Sequence, residues 1–175
     1  RRQRQMCIRD RIREALQKSG ADKNTVIIYT SDNGFFCGSH GYGSKVLPYE
    51  ESSRVPLIIY DPRHANSGKK LRTSALTGNI DFAPTILSLA GISSPEHIDG
   101  KNLMTIYDNP KSSLHHSLPL INVWGKEPTH ALGVVTEDMK YLYWGYAAKG
   151  FKPTNELYDL KNDPLEKSNE FSSFD

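Results

Sequence analysis

Thr25-Val26-Ile27-Ile28-Tyr29-Thr30, running straight into Ser31-Asp32-Asn33-Gly34, is the stretch that decides the fold. Its β-branched and apolar residues follow one another without period-2 alternation. Both faces of the segment are therefore expected to be covered, as in a central strand of a parallel sheet layered with helices. The polar run then falls at the strand's C-terminal end, where open α/β sheets gather their ligands. A second run, Pro56-Leu57-Ile58-Ile59-Tyr60, ends at Asp61-Pro62 and reads as another strand of the same layer. Upstream, Ile8, Ile12, Ala15 and Leu16 recur at helical spacing, and Ser19-Gly20 ends a short amphipathic helix near Lys18. Downstream, Asp81 to Ala90 reads as a helix with Asp81 as N-cap and Gly91 as its stop.

Past Gly100 the texture changes. Leu118 to Val123, Ala131 to Thr136, Tyr141 to Trp144 and Glu156 to Leu160 are short strand-like pieces separated by turns such as Glu137-Asp138 and Lys149-Gly150. They predict a small antiparallel sheet appended to the α/β layer. The aromatics Trp124, Tyr141, Tyr143, Trp144 and Tyr146 within it either pack on that sheet or stack against sugar rings.

A chain of 175 residues can hold one respectable core or a domain with an appendage. Its 37% hydrophobic content, 13 glycines and 10 prolines describe a globular protein rich in turns. A net charge of +2 gives no electrostatic case for a nucleic-acid or membrane partner, and no apolar run approaches the ~18 residues of a membrane helix. Cys7 and Cys37 lack metal-type spacing and make a poor disulfide framework. Residues 1–13 carry six arginines and no Met at position 1, so this start is expected to be truncated or artefactual. A basic arm for an acidic or nucleic-acid partner is the alternative. Glu170 to Asp175 stops without an obvious closing element.

The chemistry concentrates just after the first strand. Asp32 offers a carboxylate and Asn33 an amide oxygen, hard donors suited to calcium or magnesium, and Gly34 permits a turn that aims neighbouring side chains at one ion. Calcium takes about six to eight oxygens, so two ligands cannot complete a site. Asp-Asn-Gly also turns a chain with no ligand at all. Then come Gly38-Ser39-His40-Gly41, Lys45, Tyr49-Glu50-Glu51 and Arg54-Val55-Pro56-Leu57-Ile58.

That order of motifs closely resembles the type I, formylglycine-dependent sulfatases of the alkaline phosphatase superfamily, in their C-terminal portion, over about residues 22–169. Asp81-Phe82-Ala83-Pro84-Thr85, Ile98-Asp99-Gly100 and Glu156-Leu157-Tyr158-Asp159-Leu160 extend the likeness. The resemblance implies an α/β fold: a partial alkaline-phosphatase-like parallel sheet layer with helices over residues 14–105, then a small antiparallel subdomain over 106–175. It implies that Asp32 and Asn33 are ligands of a divalent ion, calcium with magnesium as the alternative, and that Lys45 contacts sulfate oxygens. His40 is a candidate lining residue or proton donor to a leaving alcohol, with a structural role as the alternative. Glu50, Glu51 and Arg54 are expected to form a local ion pair.

By the same resemblance the substrate is a sulfate ester, expected on a carbohydrate, and the location is periplasmic or secreted. The C/S-x-P-x-R context that yields the formylglycine nucleophile is absent: Cys37 is followed by Gly38-Ser39-His40 and Cys7 by Ile8-Arg9-Asp10. The chain is thus expected to be a fragment that does not turn over sulfate esters alone. A phosphatase or phosphonate-ester hydrolase of the same superfamily and a non-catalytic sulfated-glycan binding module are the alternatives.

Overall fold

The computed structural model describes residues 2–123, 129–147, 150 and 152–173. Arg1 of the basic start, Trp124 of the aromatic flap, Lys149 of the expected turn, and Phe174 and Asp175 at the C-terminal end lie outside the described residues.

By its packing the chain forms two compact units, residues 1–30 with 56–72, and residues 31–55 with 73–175. In the first, α1 (Arg2–Ser19) is followed by a 3-10 turn, Ala21–Asn24, then β1 (Ile27–Tyr29) and β2 (Ile58–Tyr60). Ile8 and Ile12 of α1 are exposed. The two strands pair antiparallel, with Ile28 opposite Ile59. This corrects the expected parallel ladder. An unbroken apolar run encodes burial but not strand direction, which is set by the path of the connection. Tyr29, Ile58 and Tyr60 are exposed, so this chain alone does not cover both faces. After β2, buried Asp61 accepts from Arg63 through its backbone N–H (3.0 Å), Nε (2.9 Å) and Nη2 (3.1 Å). That guanidinium fork holds the Asp61 carboxyl below the usual carboxylate range.

In the second unit, α2 (Glu50–Ser53) is a single turn, α3 spans Phe82–Leu89 and α4 spans Met104–Asp108. Strands β3 (Leu118–Asn122), β4 (Ala131–Val135), β5 (Met139–Trp144) and β6 (Thr154–Asp159) form an antiparallel sheet in chain order. These are the strands expected from the sequence, shifted by a residue or two at their ends. Register puts Leu120, Gly133, Leu142 and Glu156 in one row across the sheet. Leu142 and Tyr158 meet Phe36 and Tyr49 in the main buried cluster, with Leu47, Leu120, Trp144 and Leu160 packed around it. Residues from the Gly34–Ser53 segment and from the sheet therefore share one core. Trp144 packs there, 6.2 Å from Tyr49 between ring centroids, so its role is sheet packing. Among the described residues no helix is long and apolar enough to cross a membrane.

Candidate functional site

The site is built on the segment from Ser31 to Ser53. Its loops cannot hydrogen-bond as regular ladders, so side chains and backbone satisfy one another locally. Asp32 Oδ1 accepts the N–H of Asn33 at 3.0 Å and the Ser31 hydroxyl at 3.4 Å. Asn33 Nδ2 donates to the Gly34 carbonyl at 2.7 Å, which turns its Oδ1 the other way, toward Lys45. Lys45 Nζ lies 2.9 Å from that Oδ1 and 3.9 Å from Asp32 Oδ2. The three residues singled out in the sequence thus converge in space. The Asp32 side chain is 81% and that of Lys45 53% exposed, while Asn33 is half-buried.

Ser52 of α2 positions both ends of this arrangement. Its carbonyl accepts the Gly34 N–H at 2.8 Å, and its hydroxyl donates to the Lys45 carbonyl. Gly34 is required by proximity, since a Cβ there would lie 2.0 Å from the Glu51 carbonyl oxygen. Between Gly34 and Lys45 the loop holds three non-glycine residues at positive φ, Cys37 (51°), His40 (52°) and Ser44 (75°). Such conformations cost on the order of 1–2 kcal/mol each and persist where surroundings over-determine them. Here the Phe36 N–H to Ser44 carbonyl bond (2.9 Å) and the Gly38 N–H to Tyr42 carbonyl bond (3.0 Å) close the loop.

His40 has a different neighbourhood from Lys45. Its ring stacks on Tyr49 at 4.5 Å and 14°, and Nε2 lies 3.5 Å from Glu51 Oε2. Beside it, Lys140 is wholly buried and pairs with Glu50 (2.8 Å) and Glu166 (2.9 Å), while its Nζ also donates to the Pro48 carbonyl at 3.1 Å. Glu50 also meets Arg54 at 3.4 Å, the local pair expected from the sequence, but its buried partner Lys140 comes from β5. Glu166 Oε2 accepts the Glu50 N–H at 2.6 Å, and Oε1 faces the Lys140 ammonium at 2.9 Å. Burial is the largest influence on Glu166 and raises its carboxyl above the ordinary value, against the opposing pull of Lys140. Burial, then Glu156, pushes the Tyr49 phenol far up; its hydroxyl lies 3.0 Å from Glu156 Oε2. Although His40, Glu51 and Glu166 offer ligand atoms within 4.8 Å of one another, the Lys140 ammonium already supplies the cation there.

Two side chains that support the site carry no signal in the sequence. Ser52 sits among polar neighbours, and Asn79, whose Nδ2 donates to the Asp32 carbonyl at 3.0 Å, is 47 residues from its partner. Long-range pairing of an ordinary Asn is not visible to any local pattern.

The family model for N-sulphoglucosamine sulphohydrolase, C-terminal, matches residues 38–174. N-acetylglucosamine-6-O-sulfatase of Bacteroides thetaiotaomicron is 35% identical over 92% of this chain, and an arylsulfatase of Clostridium perfringens is 31% identical over 91%. Among solved structures, BT4656 in complex with its substrate D-Glucosamine-2-N,6-O-disulfate superposes with a TM-score of 0.83 at 34% identity, covering 94% of this chain and 33% of that one. The phosphonate monoester hydrolase of Agrobacterium radiobacter gives 0.73 at 26% identity, covering 93% and 34%. The chain spans 29% and 32% of the length of the two curated relatives.

Proposed function

This chain belongs to the sulfatase family, within the alkaline phosphatase superfamily, and from that membership we propose that it supplies part of the metal and sulfate site of a sulfuric ester hydrolase acting on a sulfated carbohydrate. The observation that carries this reading is the convergence of Asp32, Asn33 and Lys45. A carboxylate and an amide oxygen are hard donors that fit calcium, with magnesium as the alternative, and they already face one positive charge in Lys45. When bound, such an ion would act as a Lewis acid on the ester oxygens. Asp32 and Asn33 would hold it, Asn33 with its amide turned by the Gly34 carbonyl. Lys45, a compact charge on a flexible stem, would contact the sulfate oxygens and offset the charge that grows on the bridging oxygen as the S–O bond breaks. The formylglycine nucleophile belongs to a motif this sequence does not contain.

The sulfated-sugar reading draws support from the relative named N-acetylglucosamine-6-O-sulfatase and from the solved complex with a glucosamine disulfate. The likeness to a phosphonate monoester hydrolase fits related ester chemistry, but at lower identity.

The test joins this segment to a sulfatase N-terminal half that carries the formylglycine site. Sulfate release from a sulfated glucosamine is expected to depend on calcium. Asp32→Ala should lower it by about 10–100-fold at low free calcium, the size of effect that loss of a metal-supporting group has elsewhere. Undiminished rates in Asp32→Ala under those conditions would remove the metal assignment.

A further inference from the structure

We propose that Asn79, set in place by the buried carboxylate of Asp81, is a positioning residue for the Asp32–Asn33 loop. The inference rests on the reading of that loop as a metal site and deepens it. The peptide joining Asp32 to Asn33 is bound at both of its polar ends. Its N–H goes to Asp32 Oδ1 at 3.0 Å, and its C=O accepts from Asn79 Nδ2 at 3.0 Å. A peptide is planar, so fixing both ends fixes its rotation and hence the directions in which the two flanking side chains leave the backbone.

Asn79 opens a 3-10 turn, Asn79–Asp81, and the turn is anchored by an unusual hub. Asp81 is fully buried. Its Oδ2 accepts the Gly78 N–H at 2.8 Å, and its Oδ1 takes the Lys101 N–H at 2.7 Å and His115 Nε2 at 2.8 Å. Its carbonyl accepts the Thr85 hydroxyl at 2.6 Å, which in turn accepts the Leu103 N–H at 2.8 Å. The expected N-cap role is thereby corrected: Asp81 stands at the cap position of α3, but its side chain makes no capping bond to that helix. The carboxylate points instead at the turn before the helix and at segments 20 and 34 residues downstream. Gly100 completes the anchor, because a Cβ there would lie 1.9 Å from the Ile80 carbonyl oxygen. A carboxylate with three donors out of water is a rigid point, since each charge-assisted bond is strong and none can be exchanged for solvent. Asn79 is exposed and contributes little to the core, so its effect should fall on the loop it touches.

Amide exchange at Asn33 and Gly34 on the isotopically labelled chain is the first measurement. Asn79→Ala should speed exchange at these two amides by about fivefold to tenfold, as loss of one hydrogen bond does, with the melting temperature nearly unchanged. Asn79→Asp, the same size without the donor, should do at least as much. The second measurement is calcium affinity in the joined, formylglycine-bearing protein, where Asn79→Ala should weaken binding by about tenfold. Unchanged exchange in Asn79→Ala overturns the inference. So does faster exchange with unchanged calcium affinity, provided Asp32→Ala does weaken binding. If neither substitution alters calcium affinity, the metal reading of Asp32 fails, and the brace is judged on exchange alone.

Discussion

At the scale of single residues, Lys45 shows how a flexible side chain is given one address. Its backbone is tied by the Ser52 hydroxyl, and its ammonium reaches Asn33 at 2.9 Å, so little freedom remains between the two anchors. Because the side chain is about half exposed, Lys45→Ala should change folding stability by no more than about 0.5 kcal/mol. Turnover of a sulfate ester in the joined protein should fall by about 10²–10³-fold, the loss typical of one oxyanion-stabilising group. Rates near wild type, measured alongside an unchanged urea midpoint, would rule Lys45 out as the sulfate contact. Asp32, Asn33 and Lys45 were legible as a group only through the resemblance of the ordered motifs to the sulfatases, because an isolated lysine after an Asp-Asn-Gly turn carries no signal of its own. The surroundings of His40 were not legible. A histidine in a Gly-rich loop says nothing about which ring it stacks on, and here the partner is Tyr49, with Glu51 at its Nε2.

At the scale of elements, the strands of the antiparallel sheet were readable to within a residue or two, because short apolar and β-branched runs bounded by turn residues mark them, but their buried face was not: in β3 polar Asn122 is buried while apolar Ile121 is exposed. The β1–β2 pair was readable as strands but not as antiparallel partners, since direction depends on the route of the chain between them. The close fit of the Asp32 loop against α2 was equally hidden, as it depends on a missing Cβ. Gly34→Ala places a methyl 2.0 Å from the Glu51 carbonyl oxygen. Either α2 or the loop must retreat, breaking the Gly34 N–H bond to Ser52 and loosening the hold of Ser52 on Lys45. Overpacking of this kind costs about 1–3 kcal/mol, and calcium affinity in the joined protein should fall with it. A Gly34→Ala protein with wild-type urea midpoint and calcium affinity would show that this contact yields freely.

At the scale of the whole molecule, the unit formed by residues 31–55 and 73–175 is joined through a buried charge cluster that local patterns do not announce. Lys140 leaves β5 on the buried face and meets Glu50 of α2 and Glu166 of the C-terminal segment, so three distant stretches share one ammonium. Glu50, Glu51 and Glu166 bring three carboxyl groups to a region with that single buried lysine, and burial raises the Glu166 carboxyl above its ordinary value. A group whose folded-state value is raised gives stability that is fully present below its unfolded value, about 4.3 for Glu, and lost as pH climbs through the folded value. Glu166→Gln copies the protonated form, keeps an acceptor for the Glu50 N–H and does not titrate. The difference in melting temperature, wild type minus Glu166→Gln, should therefore be most favourable to the wild type near pH 4 and shrink steadily as pH rises above about 4.3. If that difference instead grew with pH, attraction to the Lys140 ammonium would outweigh the desolvation of the Glu166 carboxyl.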